Sequence, residues 1–385
     1  MSLTSLVAER SLVVCVGPGG VGKTTVSAAI GLAGAKLGRK TLVLTIDPAR
    51  RLADALGLHQ LDDAIQAVPL EEPIPGTLDA AMVDTAQSYA ALIERIAPDE
   101  RTKTRILANP VFHAVSRSMA RSHAYVAMER LYDAMINRRY DLVVLDTPPA
   151  RNALDILDAP HQLARFLDAR FVEWFLPQAR ERGLRDRILA AGGDVAKKLL
   201  GMITGEKLLT EIVEFLDAFA SLREGFVQRA ERVDRILRAP TSGFVLVSSA
   251  SPASADDAAW LRHDLERRKV PIDAVIFNQS FIPLDPRHPL ERRTSLGAGS
   301  PEWAWQRLAP HLSEPKPVPE LLAALRELRV EAAGENARLQ EIIAGVEAEL
   351  DPACTRVQIP RFDDEIRDLE GLAVLADALV AERPR

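Results

Sequence analysis

The chain has 385 residues, of which 47% are hydrophobic and 26% are charged, a composition typical of a globular protein with room for one large core or two smaller ones. Its 48 basic and 54 acidic residues give a formal net charge of -6. This balance argues against the strongly basic class of nucleic-acid-binding proteins, which neutralise phosphates with an excess of lysine and arginine. We therefore expect no nucleic-acid partner.

The sequence also indicates a compartment. No apolar run approaches the roughly 20 residues that a membrane-spanning helix needs, and Met1 to Glu9 lacks the basic start and the long apolar stretch of a signal peptide. We therefore expect a cytoplasmic protein. The two cysteines, Cys15 and Cys354, are far apart in the sequence and offer neither a disulfide framework nor a CxxC metal site.

The first elements form a βαβ unit. Ser11 to Val16 is a short apolar run that stops at Gly17, which is typical of a strand buried on both faces. After Lys23 the apolar residues recur at helical spacing as far as Gly38, and Thr41 to Asp47 is a second buried strand.

Similar apolar runs predict five further strands, most of them separated by helical stretches. They are Leu78 to Val83, Asp141 to Asp146, Gly243 to Ser248, Ile272 to Asn278 and Thr355 to Ile359. This alternation predicts an α/β fold with a mostly parallel sheet flanked by helices, and ligands are then expected at the carboxyl ends of the strands.

We predict one domain over residues 1–385, interrupted by two helical insertions at about 85–137 and 152–238 that form a helical subdomain. The clearest helix of the insertions is Glu211 to Leu237, where apolar residues recur at helical spacing among charged ones. Phe281 to about Pro319 is rich in proline and charge and is predicted to be irregular, and a polar helix follows from Glu320 to about Leu350.

The strongest motif is GPGGVGKT, from Gly17 to Thr24, which fits the pattern GxxxxGKS/T of a P-loop between a strand and a helix. Such a loop turns backbone N–H groups toward phosphates, its lysine reaches the β and γ phosphate oxygens, and its threonine hydroxyl ligates Mg²⁺. The motif therefore predicts ATP and Mg²⁺ as cofactors, with Lys23 catalytic and Thr24 a metal ligand. The predicted nucleotide ligands of the loop are Gly19, Gly20, Val21, Gly22, Lys23, Thr24 and Thr25.

Three motifs in this order resemble one family. GPGGVGKTT resembles the P-loop GKGGVGKTT of the ArsA/Get, MinD and ParA group of ATPases. LTIDPARRLADAL, from Leu44, resembles the switch I segment DPAHSLSDAF of the ArsA/Get branch, and LDTPPARNALDIL, from Leu145, resembles its switch II segment DTAPTGHTLRFL. Asn278 and the segment Ile359 to Leu372 are similar to the adenine-side residues and final helix of that branch. The chain thus resembles the ArsA/Get family of dimeric P-loop ATPases.

The resemblance implies roles for residues outside the P-loop. Asp47 would orient or activate the attacking water, Asp146 would hold Mg²⁺ through water, and Asn278 would contact adenine. A later loop would line the base pocket with Pro360, Arg361 and Phe362. For Asp47 and Asp146 the alternative is that each only caps the turn after a buried strand.

The loop departs from the family at Pro18, where the relatives carry a lysine that is expected to neutralise charge on the partner's nucleotide. Three explanations stay open: a paralogous subunit supplies the lysine, another cation replaces it, or hydrolysis is very slow and nucleotide acts as a switch. The candidate cations are Arg50, Arg51 and Arg151. We favour retained but slow hydrolysis by a dimer, made of identical chains or of this chain and a paralogue.

The resemblance also suggests a client, because the helical subdomain of the targeting relatives binds a membrane protein. The apolar stretch from Phe166 to Leu176 is either a groove for such a client or the core of the helical subdomain. Two isolated cysteines predict neither the metalloid site nor the shared zinc of some relatives. A MinD-like membrane-surface ATPase is a weaker alternative, since Leu369 to Arg385 carries mixed charge and lacks a basic amphipathic pattern.

Overall fold

A computed structural model shows the fold of this chain. It describes residues 2–46, 51–62, 64–70, 72–83, 93–94, 97–110, 112–113, 123–136, 139–149, 154, 156–158, 222–281, 309–311, 319–362, 366 and 368–380. The predicted site residue Asp47, the candidate cations Arg50 and Arg151 and the apolar stretch Phe166 to Leu176 lie outside these residues.

Eight strands and nine helices are described, together with one turn of 3₁₀ helix at Ala309–His311. In chain order they are α1 (Leu3–Glu9), β1 (Leu12–Val16), α2 (Lys23–Lys36), β2 (Lys40–Thr45), α3 (Arg51–Ala55), β3 (Gln66–Ala67), β4 (Thr77–Met82), α4 (Glu100–Leu107), α5 (His123–Ile136), β5 (Leu142–Asp146), α6 (Arg223–Leu237), β6 (Ser242–Ser249), α7 (Pro252–Arg267), β7 (Ala274–Asn278), α8 (Pro319–Glu347), β8 (Thr355–Gln358) and α9 (Leu369–Val380).

The strands form a single sheet in the order β3-β4-β2-β5-β1-β6-β7-β8. Every neighbouring pair is parallel except β3 and β4. The central strand β1 lies between β5 and β6, with Cys15 opposite Asp146 on one side and Val245 on the other. The prediction of a mostly parallel α/β sheet is confirmed, and its seven predicted strands differ from the observed ones only by a few residues at their ends.

Two elements were not predicted. The antiparallel edge strand β3 has only two residues, too few to show an apolar pattern of its own. Helix α1 begins at the N-cap Ser2, whose hydroxyl accepts a hydrogen bond from the backbone N–H of Ser5 at 3.0 Å. Its residues Leu6 and Val7 are fully buried, so the helix is anchored by the core of the sheet.

Helix α2 packs closely on the sheet because two of its residues are glycines. A Cβ at Gly31 would lie 2.3 Å from Val43 Cγ2, and a Cβ at Gly34 would lie 2.7 Å from Leu142 Cδ2. On its outer side α2 is covered by α9, whose Leu375 is 1% exposed and belongs to the same core. Both faces of α2 are therefore fixed, which places the start of the helix firmly at the end of β1.

The chain divides into two compact units, residues 1–82, 138–154 and 240–385 in the first and residues 83–137 and 155–239 in the second. The first holds the sheet. In the second, α5 and α6 are joined by Arg229, whose guanidinium lies 3.0 Å from Glu129 and 4.7 Å from the ring centre of Tyr132. The described part of the chain contains no helix both long and apolar enough to cross a bilayer.

Candidate functional site

The phosphate-loop sequence lies between β1 and α2, at the carboxyl edge of the sheet. Gly20 and Gly22 have φ angles of 78° and 81°, in the left-handed region that favours glycine. Gly17 is required for a different reason, because a Cβ there would lie 2.1 Å from the carbonyl oxygen of Val247 on β6. The loop conformation thus needs glycine at three of its positions.

The predicted nucleotide ligands of the loop differ in how far they are exposed to solvent. Gly19 and Gly20 are exposed, Gly22 and Thr25 are half-buried, and Val21, Lys23 and Thr24 are buried. The Lys23 ammonium donates to the carbonyl oxygen of Gly17 at 3.4 Å, so in this conformation the side chain folds back along its own loop.

A buried carboxylate lies directly beneath the loop. Asp146 ends β5 and is fully buried. Its Oδ2 accepts hydrogen bonds from the hydroxyls of Thr24 and Thr45, each at 2.9 Å, and its Oδ1 accepts one from Ser27 at 3.2 Å. Three hydroxyl groups therefore hold the carboxylate predicted to lie beside the metal.

Burial raises the pKa of Asp146, while the Lys23 ammonium and the three hydroxyls oppose that change. The Ser27 hydroxyl also reaches the Lys23 carbonyl at 2.9 Å. One hydroxyl has one proton, so Ser27 can donate to only one of these two oxygens at a time. The same burial raises the pKa of the Cys15 thiol to about 12, so this cysteine is a neutral core residue.

These residues fit a magnesium ion. Mg²⁺ prefers hard oxygen ligands and retains several waters. The Thr24 hydroxyl donates a hydrogen bond to Asp146, so the lone pairs on its oxygen stay available for a cation. The Asp146 carboxylate can in turn accept hydrogen bonds from water bound to that cation. The donor set is therefore all oxygen, as this metal requires.

Sequence reasoning missed Ser27 and Thr45 as members of this cluster. A signal for each was present, since Ser27 lies one helical turn after Lys23 and Thr45 is the last residue of β2. In the sheet Thr45 is paired with Asp146. That pairing follows from the strand order, which the sequence alone did not provide.

Asn278, the predicted adenine contact, ends β7 and lies against the phosphate loop. Its Nδ2 donates to the carbonyl oxygen of Val21 at 2.8 Å, and its Oδ1 accepts from the backbone N–H of Gln279 at 3.0 Å. Gly22 permits this approach, since a Cβ at that position would lie 2.4 Å from Nδ2. The structure thus brings together the two ends of the predicted nucleotide site.

The other predicted base-pocket residues lie just past the end of β8, where backbone hydrogen bonds join them to the segment that follows β7. The N–H of Ser280 donates to Ile359 and that of Arg361 donates to Phe281, each at 2.8 Å. Pro360 is buried, Arg361 is exposed, and Phe362 is half-buried against the core. These residues are near the segment that carries Asn278, and their contact with a base stays a prediction.

Pro18 stands where the resembling family carries a lysine, and Arg51 is one of the cations that could replace it. Pro18 is buried in the loop, and Arg51 is exposed at the start of α3. Pro149, which follows β5 in the switch II sequence, is exposed, and its Cβ lies 3.5 Å from the position that a Cβ on Gly19 would take. The switch II segment thus begins next to the phosphate loop.

The helix at the end of the chain has a structural role. Leu372, Leu375, Ala376 and Leu379 of α9 are buried in the core of the sheet unit. The Lys36 ammonium of α2 also pairs with Asp377 at 2.5 Å. This packing uses the apolar face of α9, which a membrane-surface helix would need to keep free.

Sequence comparison with known proteins finds relatives of this chain. An uncharacterized protein of Streptomyces coelicolor is 29% identical over 70% of this chain and 62% of its own length. The ATPase ASNA1 homolog 1 of Paramecium tetraurelia is 27% identical over 40% of this chain and 44% of its own, and the arsenical pump-driving ATPase of Escherichia coli is 26% identical over 40% of this chain and 26% of its own.

The chain therefore spans about a quarter to three fifths of the length of these relatives. The sequence model of the ArsA family, described as anion-transporting ATPase, matches residues 10–296. This range contains the phosphate loop, both switch sequences and Asn278. Because the match covers most of the chain, the protein belongs to the ArsA family of ATPases.

Proposed function

We propose that this protein binds and hydrolyses ATP with magnesium as one subunit of a dimer. The observation that carries the proposal is the direct hydrogen bond of Thr24 to the buried Asp146, immediately beneath a glycine loop that begins a helix. Such a loop binds phosphate through backbone N–H groups and the positive end of the helix. The arrangement serves phosphoryl transfer, which depends mainly on positioning and charge stabilisation.

Each residue has a distinct task in this proposal. Lys23 leaves the Gly17 carbonyl and pairs with the β and γ phosphates, which increases the positive charge around the transferred group. Thr24 would hold a magnesium ion through its hydroxyl oxygen, and Asp146 would accept hydrogen bonds from water bound to that ion. A bound Mg²⁺ would neutralise charge on the phosphate oxygens. Asp47 comes two residues after the end of β2 in the sequence, and we assign to it the orientation of the attacking water.

We further propose that nucleotide-driven closure of the dimer serves a membrane-protein client or partner. Support comes from the family and from the apolar sequence between Phe166 and Leu176. A single-span hydrophobic peptide in mild detergent provides the test. It should change the ATPase rate of the wild-type chain, and replacing Phe171 with Asp should reduce that response while the basal rate is retained. An unchanged rate at saturating peptide would count against the client.

A second candidate is a nucleotide-gated binding module that hydrolyses ATP very slowly, either alone or beside a lysine-bearing paralogue. Pro18 is the observation that favours it, because a proline cannot supply a positive charge to a partner's nucleotide. In this alternative, ATP binding changes the shape of the chain and hydrolysis only resets it.

Steady-state ATP hydrolysis by the purified chain with magnesium separates the two candidates. The test variant is Lys23→Ala, and the matched control is Lys36→Ala at the other end of α2, where the lysine pairs with Asp377. The enzyme proposal predicts turnover that is retained in Lys36→Ala and falls at least about 100-fold in Lys23→Ala, since of these two lysines only Lys23 lies in the phosphate loop.

Two other results would change the conclusion. If the wild-type chain binds ATP tightly but hydrolyses it no faster than Lys23→Ala, the nucleotide-gated module replaces the self-sufficient enzyme. If the wild-type chain does not bind ATP, both candidates fail.

A further inference from the structure

The buried amide of Asn278 forms a hydrogen bond with the phosphate loop. The residue is 9% exposed, and its Nδ2 donates to the Val21 carbonyl at 2.8 Å. Its Oδ1 accepts from the N–H of Gln279, a residue with a φ of 52° in the left-handed region. The chain therefore turns sharply after β7, and this turn fixes the orientation of the amide.

The contact has consequences for the loop because of the geometry of a peptide unit. The carbonyl of Val21 and the N–H of Gly22 belong to one planar trans unit, in which the two bonds point in opposite directions. Holding the Val21 oxygen against Asn278 therefore fixes the direction of the Gly22 N–H. Gly22 is the N-cap of α2, so this N–H lies at the start of the helix where phosphate is expected.

The amide has enough hydrogen-bonding capacity for two tasks. An asparagine side chain carries two N–H donors and two acceptor lone pairs on its oxygen. Val21 uses one donor and Gln279 uses one lone pair. One donor and one lone pair remain, which is the complement of the donor and acceptor on the edge of adenine. Holding the loop thus does not exclude the predicted contact with the base.

We propose that Asn278 is a positioning residue for the phosphate loop, and that it sets the affinity for the triphosphate group independently of the base. The inference rests on the proposed function, since it assumes that the loop binds a triphosphate. It differs from the adenine role in a measurable way. A residue that only contacts adenine has no effect on a ligand without a base, whereas a residue that orients the loop affects every ligand with phosphates.

The test uses Mg²⁺-tripolyphosphate, which has the phosphates and no base, together with Mg²⁺-ATP. Affinity is measured for both ligands by displacement of a fluorescent ATP analogue. The variants are Asn278→Leu, which keeps most of the side-chain volume but has no donor, and Asn278→Ala, which removes the group. Unfolding of the ligand-free variants is followed in parallel, so that a change in the fold is recognised.

The matched control is Gln340→Ala. Gln340 also uses a side-chain amide near this segment, where its Nε2 lies 3.4 Å from the Ser280 carbonyl and 3.0 Å from Gln358 Oε1. It holds the segment from the side of α8 and makes no contact with Val21. Its replacement therefore reports what a general loosening of residues 278–281 does to binding.

The proposal predicts that both Asn278 variants bind tripolyphosphate about tenfold more weakly, which is the usual effect of one lost buried hydrogen bond. ATP should weaken by at least the same factor, and Gln340→Ala should bind both ligands as the wild type does. Unchanged tripolyphosphate affinity beside weakened ATP binding would overturn the inference while the proposed function stands. An equal loss in Gln340→Ala would also overturn it. A wild-type chain that binds neither ligand would remove the proposed function as well.

Discussion

At the scale of single residues, the buried Asp146 is a side chain whose cost to the fold would be explained by the proposed magnesium site. A carboxylate out of water is expensive unless hydrogen bonds or a cation compensate for the lost hydration. Three hydroxyls and Lys23 surround it, and its pKa is nevertheless raised. Burial of this carboxylate therefore has an electrostatic cost, which a cation beside it would offset.

Asp146→Asn should separate that cost from the function. An amide can accept from Thr24 and Thr45 with its oxygen and donate to Ser27 with its nitrogen, because Ser27 has the Lys23 carbonyl as its own acceptor. We expect the free energy of unfolding without ligand to be unchanged or higher, measured in urea. We also expect magnesium-dependent ATP hydrolysis to fall about 10–100-fold, because the group that orients metal-bound water is lost.

The contradicting outcome for Asp146→Asn is equally specific. A loss of more than about 2 kcal/mol of stability would mean that the ionised carboxylate holds the loop together, as in a buried pair from which one partner is removed. Retained hydrolysis in a stable variant would mean that Asp146 only ends its strand.

At the scale of elements, the hydrogen bond between Tyr140 and Asp79 links parts of the sheet that are not neighbours. Asp79 lies on β4 and Tyr140 precedes β5, and β2 lies between these two strands. The phenol donates to Asp79 Oδ2 at 2.7 Å, at the edge of the sheet opposite the phosphate loop. This contact joins the amino end of β4 to the segment before β5, across the end of β2.

Tyr140→Phe should reveal the contact through its dependence on pH. Partial burial and the hydrogen bond to Asp79 raise the pKa of Tyr140 above its value of about 10 in an unfolded chain. The native state then holds the phenol proton more tightly, so this contribution to stability is complete below about pH 10 and is lost as the pH rises above it. We expect the wild type to exceed the variant by about 1 kcal/mol at pH 8, and the difference to shrink above pH 10.

Urea unfolding of the wild type and Tyr140→Phe at several pH values measures this difference in stability. The control is Asp79→Asn, which keeps an acceptor oxygen for the phenol and removes the charge. The control should retain most of the stability at pH 8. A Tyr140→Phe difference that stays constant from pH 8 to pH 11 would show that the phenol proton does not contribute.

The elements also show how far the sequence could predict this protein. The buried strands were predictable because each is a continuous apolar run between turn residues, and the phosphate loop because glycine, lysine and threonine occur at fixed spacing. The edge strand β3 was not predictable from its own two residues. They form a strand because the backbone of β4 next to Leu78 is available for pairing. The contact of Asn278 with Val21 was not predictable either, because it joins residues 257 positions apart through the order of strands in the sheet.

At the scale of the whole molecule, the parallel sheet gathers residues from distant parts of the sequence at one edge. The loop after β1, the end of β5 and the end of β7 supply the phosphate loop, Asp146 and Asn278. These are the strands on which a doubly wound sheet places its ligands. Among the described residues at this edge, Pro18 occupies the position where the resembling family carries a lysine, and introducing a lysine there tests whether a second copy of the chain completes the site.

Pro18→Lys should increase the rate of ATP hydrolysis if the active dimer consists of two identical chains. A cation supplied by a partner can contribute about 10³–10⁵ in rate when it is perfectly placed. Since Pro18 is buried in the loop and a lysine there would have to be accommodated, we expect a smaller gain of about tenfold or more. The control is Pro18→Met, which makes the same backbone change and adds a long side chain without charge.

The increase should depend on protein concentration, because the added charge acts on the nucleotide of the partner. Hydrolysis per chain is measured across concentrations that span dimer formation, followed by sedimentation with and without ATP. A gain in Pro18→Lys that appears only where dimers form would establish a site completed by a second copy. Pro18→Lys could instead be no faster than Pro18→Met although dimers form. In that case either a different cation already supplies the positive charge or the natural partner is a lysine-bearing paralogue. Mixing the wild-type chain with Lys23→Ala distinguishes these two explanations. Active wild-type chains with a cation of their own would keep their rate per chain in the mixture, whereas chains that need a paralogue would be inactive in every combination.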